Sequence, residues 1–458
     1  MEPFMLSAAD AAERLRRREF SPVTLVESCL TRIKTLEPKL RAWVTVDAEG
    51  ALEAAFRRAK DLESKGSVGA LHGIPVGIKD LFYTAGMRTT AGSKICAEFV
   101  PAWDATLVTR LKDAGAIVLG KTVTTEWAAS DPPPTRNPWN PAHTPGGSSS
   151  GSAVAVAARM CPAATGTQTA GSIVRPAAYN GVVGLKPTYG RLSRRGIVPQ
   201  SWSIDTPGIL VRTVEDAALL LEVLAGHDPE DASTSVRPVP AYRQHINGLR
   251  RPPRLGLIRQ FLEHSAEQVQ MHMDGVAQRF REAGADVRAV TFPGDLALVL
   301  AAHWTIMKAD FAAVHQKLFR EHSQEYGPHV RGLIETGMLI PGVAYIQSLR
   351  IRNRFRRQAE ALADSVDALL APATGVTAPR IESPAGEALA LPRTGDHAFQ
   401  MPWSFAGLPV IGLPSGIGGD GLPLAIQLIG APFAEEKLLA VARWCEMTLN
   451  VKLLPPLE

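Results

Sequence analysis

The sequence is poor in the features that mark secretion, membranes, metals and nucleic acids. Four cysteines occur in 458 residues, and Cys29, Cys96, Cys161 and Cys445 lie far apart with no C-x-x-C pair. That spacing excludes a zinc ribbon or a disulfide framework and points to free thiols in a reducing compartment, so the expected location is the cytoplasm. No apolar run reaches the length of about 20 residues that a bilayer span requires. The N-terminus MEPFMLSAADAAERLRRREF lacks the apolar core and small-residue cleavage site of a signal peptide. An excess of one charge is missing too. Lys and Arg number 49 against 45 Asp and Glu, net +4, and they are spread along the chain. Neither a membrane nor a nucleic acid is therefore expected as a partner, while a small anionic ligand stays open. No fixed-period repeat is present.

What remains is a globular composition, 45% hydrophobic and 21% charged, able to bury a sizeable core. The N-terminus reads as an amphipathic helix capped near Ser7. Ser21-Pro22 is a cap followed by proline at the first helical position, and Val23, Val26, Leu30 and Ile33 then recur at helical spacing. From about residue 70 short apolar runs punctuated by glycine take over. LHGIPVGIKD reads as a buried strand ending in lysine, and ATLVTRLKDAGAIVLGKT as a helix, a stop at Gly115 and a strand. The same unit returns as VAQRFREAGADVRAV with Gly284 at the stop. Alternating helices and strands predict an α/β fold around a largely buried sheet.

Residues 131–147 hold six prolines and predict a loop; SAVAVAARM after it is helix-compatible. LRRPPRLGLI leads into another strand. Residues 300–345 mix Trp304, Met307, Phe311, Phe319, Tyr326 and Met338 without a clean period. LRIRNRFRRQ reads as the solvated face of a helix that runs into the strand VDALLAPA. PWSFAGLPVIGLPSG and GLPLAIQLIG read as two buried strands, with a closing helix from about 434.

The run TPGGSSSGSA at 144–153 is either a slack linker or a tight turn. Gly146 and Gly151 have phosphate-loop spacing, but Ser152 stands where that loop needs lysine. Gly147-Ser148-Ser149-Ser150-Gly151 fits the letters of the G-x-S-x-G serine-hydrolase elbow, but none of the eleven histidines has an obvious place beside it. A serine can instead be activated by a neutral lysine, which burial favours by disfavouring the charged form. Lys79, Lys121 and Lys186 all close apolar strand-like runs, and chemistry alone does not choose among them; the plain reading of each is a surface lysine at a strand end. GTQTAGS at 166–172 is a run of small residues able to aim several N–H groups at one point.

LHGIPVGIKD, TRNPWNPAHTPGGSSSGSAVAVAA and GTQTAGSIVRPAAYNGVVGLKPTYGRLS, in that order, resemble the amidase signature hydrolases. The likeness is strong over 70–215 and 400–445. It implies an α/β amidase signature fold, a large mixed central β-sheet covered by helices on both faces, as a single domain over 1–458. Within it fall N-terminal helices at 1–65, a signature core at 66–225, a variable substrate-pocket region at 226–400, and core strands with a helix at 401–458.

The resemblance further implies Lys79 as base, Ser148 as a bridging serine with a cis peptide, and Ser172 as nucleophile. The N–H groups of Thr169, Ala170, Gly171 and Ser172 would form the oxyanion hole, and no metal or organic cofactor is needed. Ser149 and Arg175 are candidate substrate contacts. Two departures stand out. Gln168 and Ala170 replace the aspartate and glycine of D-x-G-G-S, and Arg175 sits three residues after the nucleophile rather than two. Arg175 either pairs with nearby structure or reaches a substrate carboxylate or carbonyl. These changes favour a free-standing amidase over the glutaminase component of a tRNA-dependent amidotransferase; a non-catalytic binding protein of the same fold is the other alternative, and the expected assembly is a monomer or homodimer. The aromatic and methionine residues of 300–345 suggest an aryl or alkyl amide, carbamate or ester substrate, core packing being their other explanation.

Overall fold

Ser7 and Ser21 open the first two long helices as their positions predict. The Ser7 side chain accepts from the N–H of Asp10 at the start of Ala8–Arg16, and Ser21 accepts from Thr24 at the start of Pro22–Leu40. Both helix–glycine–strand units also form. Gly115 and Gly284 have φ of 91° and 94°, a left-handed turn that a glycine enters without steric cost. The computed structural model describes residues 2–64, 68–129, 131–382 and 394–457; the boundary expected at 65–66 lies outside them.

Eleven strands among the described residues form one mixed sheet. They are β1 (Trp43–Val46), β2 (Pro75–Lys79), β3 (Ile117–Thr122), β4 (Ala163–Gln168), β5 (Val183–Lys186), β6 (Thr206–Val211), β7 (Arg254–Ile258), β8 (Asp286–Val290), β9 (Ala368–Pro372), β10 (Val410–Ile417) and β11 (Pro423–Ile429). Their order is β1-β3-β2-β4-β6-β5-β10-β11-β9-β7-β8. β2 runs parallel to β3 and β4, whereas β4 and β6, β6 and β5, and β5 and β10 are antiparallel. Every residue of β2, β4, β5, β6 and β9 is buried, as expected of strands packed by helices on both faces. Each fully buried side chain such as Ile78 or Leu185 contributes about 1.5–3 kcal/mol.

Four expectations need correction. Residues 300–345 are helical: Leu296–His322, Pro328–Met338 and the start of Gly342–Asp364. The first of these is long and apolar enough, at mean hydropathy 1.3, to cross a bilayer by length and composition. It packs inside the fold instead, burying Ala302, His303, Ile306, Met307, Phe311 and His315, and contact on several sides erases a one-faced period. PWSFAG is not strand but the short helix Met401–Ala406, with Gly407 at φ 76° ending it. In LRIRNRFRRQ four arginines are solvated, but Arg352 turns inward and donates to the carbonyls of Phe405 (2.8 Å) and Ser203 (2.6 Å). Finally, none of the three strand-end lysines is on the surface: Lys79, Lys121 and Lys186 are all fully buried.

Candidate active site

The parallel pair β2 and β4 ends on the same side of the sheet, so Lys79 and the turn after Gln168 lie together. The three buried lysines then separate by what they meet. Lys121 Nζ lies 3.4 Å from Asp80 and donates to Phe82 O and Thr89 Oγ1. Lys186 Nζ donates to the carbonyls of Pro187 and Leu408. Only Lys79 meets serine hydroxyls: its Nζ lies 2.8 Å from Ser148 Oγ, 2.9 Å from Ser149 Oγ and 2.8 Å from Thr167 Oγ1.

Burial pushes the Lys79 ammonium well below the ordinary lysine range, and the charge of Asp205 only partly opposes that. A neutral amine has two N–H donors and one lone pair, so one of the three hydroxyls must donate to it. Ser149 gives its proton to the Thr167 carbonyl (3.4 Å), which leaves Ser148 or Thr167 as that donor.

The glycine–serine run is a fixed turn. The Gly147–Ser148 peptide is cis, and Ser148, Ser149, Ser150 and Ser152 are buried. Ser150 Oγ donates to Gly146 O and Ser152 Oγ to Thr165 O. Helix Ser150–Ala157 follows at once. A Cβ on Gly151 would stand 2.2 Å from the Ala42 carbonyl and 2.3 Å from Val123 N, so only glycine lets the helix start approach that backbone.

Ser172 opens the turn into helix Val174–Asn180 and is tied to the serine loop, its carbonyl accepting from Ser149 N at 3.3 Å. Its hydroxyl makes no hydrogen bond among the described residues, so Lys79–Ser148 is joined and Ser148–Ser172 is not. All four carbonyls of 169–172 are taken. Thr169 O accepts from His303 Nε2 (3.0 Å), Ala170 O from Ser404 Oγ (2.8 Å), Gly171 O from Arg175 N (2.9 Å) and Ser172 O from Ser149 N. The four N–H groups of Thr169, Ala170, Gly171 and Ser172 have no hydrogen-bond partner among the described residues. A run of unpaired amide donors beside a serine is an anion cradle.

Gln168, one of the two departures, holds this turn. Its Oε1 accepts from Ile173 N and Val174 N at the helix start, and its Nε2 donates to Ser404 Oγ at 3.0 Å. Asp205 steadies the turn from the other side, accepting from Thr169 Oγ1, Gln200 N and Ser201 N; burial raises its pKa, and these hydrogen bonds oppose that.

The two candidate substrate contacts point elsewhere. Ser149 faces Lys79. Arg175 is buried and donates to the carbonyls of Gly147 (2.6 Å) and Gly395 (2.8 Å) and to His397 Nδ1 (2.8 Å), so it pairs with nearby structure. Of the aromatic and methionine residues in 300–345, Met307, Phe311 and Tyr326 are core. Trp304 is half-buried, its ring 5.0 Å from that of His397, which packs beside Gly171. A groove of about 350 Å³ walled by Phe261, Leu296, Leu300 and Phe399 adjoins the 396–398 segment. A cavity of about 20 Å³, room for one water, lies by Thr167, Thr169 and Asp205. Asp205, His303, His397 and Ser404 were missed as site residues: His303 and His397 lie outside the stretches of strong likeness, and Asp205 and Ser404, though within them, meet the turn only through contacts distant along the chain.

A model of the Amidase family matches residues 24–439. The chain belongs to the amidase family. The chemistry of the amidase family is hydrolysis of amide C–N bonds, and the fold is that of the amidase signature enzymes. The chain is 38% identical to the A-type subunit of the glutamyl-tRNA(Gln) amidotransferase from Roseiflexus castenholzii, with 96% of this chain and 94% of the relative covered. The native peptide amidase of Stenotrophomonas maltophilia superposes with a TM-score of 0.85 at 35% identity, over 98% of each chain. A chain from a vestigial protein complex that reveals the origins of an s-triazine catabolic enzyme superposes at 0.91 and 31% identity, covering 98% of this chain and all of that one.

Proposed function

We propose that this amidase works through Lys79, Ser148 and Ser172 and forms an acyl-enzyme. What carries the reading is the buried, proton-poor Lys79 amine bonded to Ser148 Oγ beside the four free N–H groups that flank Ser172. As Ser172 Oγ attacks the substrate carbonyl carbon, its proton passes to Ser148 and the Ser148 proton to Lys79 Nζ. The carbonyl oxygen takes the negative charge and is held by N–H groups of 169–172. The relay then runs backward, the leaving amine receives the proton as the C–N bond breaks, and water cleaves the Ser172 ester by the same path. The open Ser148–Ser172 link closes when substrate excludes solvent, since catalytic hydrogen bonds tighten in the reacting complex.

The substrate is a small amide with an aryl or alkyl group, and a carbamate or ester fits the same chemistry. Trp304, His397 and the groove beyond them supply apolar walls for that group. The enzyme acts in the cytoplasm as a monomer or homodimer. Labelling by a fluorophosphonate that is lost in Ser172→Ala, with turnover of at least one compound in a panel of anilides, aliphatic amides and carbamates, tests it; equal labelling of Ser172→Ala refutes the nucleophile.

The 38% identity to one component of a glutamyl-tRNA(Gln) amidotransferase favours a second reading, a glutaminase that needs partner polypeptides. Glutaminase activity that appears only with a co-purifying polypeptide selects it over the free-standing amidase.

A further inference from the structure

The four free N–H groups do not face one way by themselves, because a turn of small residues is the least constrained backbone in a chain. Two of the peptide planes carry a clue. The planes joining Thr169 to Ala170 and Ala170 to Gly171 are trans, since the one cis bond among the described residues is Gly147–Ser148. In a planar trans peptide the C=O and the N–H point in opposite directions. Fixing the Thr169 carbonyl therefore aims the Ala170 N–H, and fixing the Ala170 carbonyl aims the Gly171 N–H.

Those two carbonyls are held from distant parts of the chain. His303, on helix Leu296–His322, reaches Thr169 O with Nε2 at 3.0 Å, and Ser404, on helix Met401–Ala406, reaches Ala170 O at 2.8 Å. A carbonyl only accepts, so His303 Nε2 carries the proton. Its Nδ1 is bare, buried and without a partner among the described residues. Burial lowers the imidazole pKa to about 4, which keeps this one tautomer at neutral pH. Such a ring, wholly buried with an unpartnered nitrogen, adds nothing to packing that phenylalanine or leucine lacks. Its one polar contact among the described residues is the Thr169 carbonyl. Ser404 receives the Gln168 amide and passes its own proton to Ala170 O, so Gln168, Ser404 and the turn form one chain of hydrogen bonds.

We propose that His303 and Ser404 are positioning residues that set the direction of the Ala170 and Gly171 oxyanion donors. This rests on the reading of Ser172 as nucleophile. Neither residue touches the reacting atoms. Both act on the transition state alone, because the donors they aim meet full negative charge only after attack.

The experiment measures the rate of inactivation by a fluorophosphonate, together with kcat and KM on an acyl p-nitroanilide, for wild type and five variants. Ser172→Ala, scored separately, decides the nucleophile. His303→Leu is expected to lower the labelling rate and kcat about 10- to 100-fold with KM unchanged, less than the loss of a donor itself, which runs to about 10²–10³. His303→Gln, whose amide nitrogen falls at the Nε2 position, restores most of the rate. His303→Asn, whose nitrogen falls at the Nδ1 position, does not. Ser404→Ala behaves like His303→Leu, and Ser404→Thr restores. Wild-type rates in His303→Leu, or equal rates in the Gln and Asn variants, overturn the proposal even where Ser172→Ala is dead. If His303→Leu fails to fold, the Gln and Asn pair decides alone.

Discussion

Arg175 donates to the Gly147 carbonyl at 2.6 Å, which ties helix Val174–Asn180 to the residue joined to Ser148 by the cis peptide. Its other nitrogen reaches Gly395 O and His397 Nδ1 at 2.8 Å each. Because arginine is always a donor, His397 must accept through Nδ1 and carry its proton on Nε2. Burial, then the nearby guanidinium, hold the His397 imidazolium well below the usual histidine range. One buried fork thus fixes two loops and one tautomer.

Lysine at position 175 keeps the charge but cannot span both carbonyls. Arg175→Lys is expected to lower kcat about 10- to 100-fold on neutral and anionic amides alike. It is also expected to cost about 1–3 kcal/mol of stability for each carbonyl left unsatisfied. Melting temperature and kinetics on a matched pair of neutral and carboxylate-bearing amides check it. A rise in KM confined to the anionic substrate would instead mark a substrate ligand.

The buried lysines make stability depend on pH. Burial, partly offset by Glu435, lowers Lys186 to about 7, and burial, partly offset by Asp80, lowers Lys121 to about 8. Between those values and the ordinary 10.5 the unfolded chain binds more protons than the folded one, so stability rises with pH. The buried thiols act the other way. Burial raises Cys161 to about 12 and Cys29 and Cys445 higher still, so above about 9 the unfolded thiols ionise and stability falls. Urea unfolding is expected to show stability climbing by at least about 1 kcal/mol from pH 7 to a maximum near 9. Lys186→Met flattens the lower part of that rise.

The parts of the site that lie within one local run were legible in the sequence. GIPVGIK reads as a buried strand because apolar residues flank two glycines, and GGSSSG precedes a small-residue helix. The choice of Lys79 over Lys121 and Lys186 was not legible from pattern. All three close buried strands, and what separates them is the partner: two serines and a threonine, an aspartate, or a pair of carbonyls. The groups that hold the turn at 169–172 come from 134 and 234 residues away along the chain, in contacts no local pattern encodes. Helix Leu296–His322 hid for a related reason, since a helix packed on several sides loses the one-faced period that reveals it.

Ser149 gives a test of where the proton travels. Its Oγ lies 2.9 Å from Lys79 Nζ and is wholly buried, out of reach of a substrate in the present arrangement. With its own proton on the Thr167 carbonyl it accepts an N–H from Lys79 and turns the lone pair toward the other hydroxyls. Ser149→Ala is expected to reduce kcat about tenfold with KM unchanged, the pattern of an interaction that matters only in the transition state. A selective rise in KM would place the hydroxyl on the substrate instead.

Trp304 offers the sharpest handle on substrate choice. Its ring meets His397 edge-on at 5.0 Å, Lys308 sits over it at 5.7 Å, and it is half-buried on the helix that also bears His303. Under the proposed function, a half-open aromatic face next to the turn at 169–172 serves as a wall for an apolar acyl or leaving group. Trp304→Ala removes that wall without touching Lys79, Ser148 or Ser172. The expected result is an increase in KM of about 10-fold for aryl amides, the size of a lost aromatic contact of about 1.4 kcal/mol, and little change for acetamide-sized substrates. Equal losses on large and small amides would show that the tryptophan supports His397 and the turn, and that the apolar wall lies in the groove beside Phe261 and Phe399.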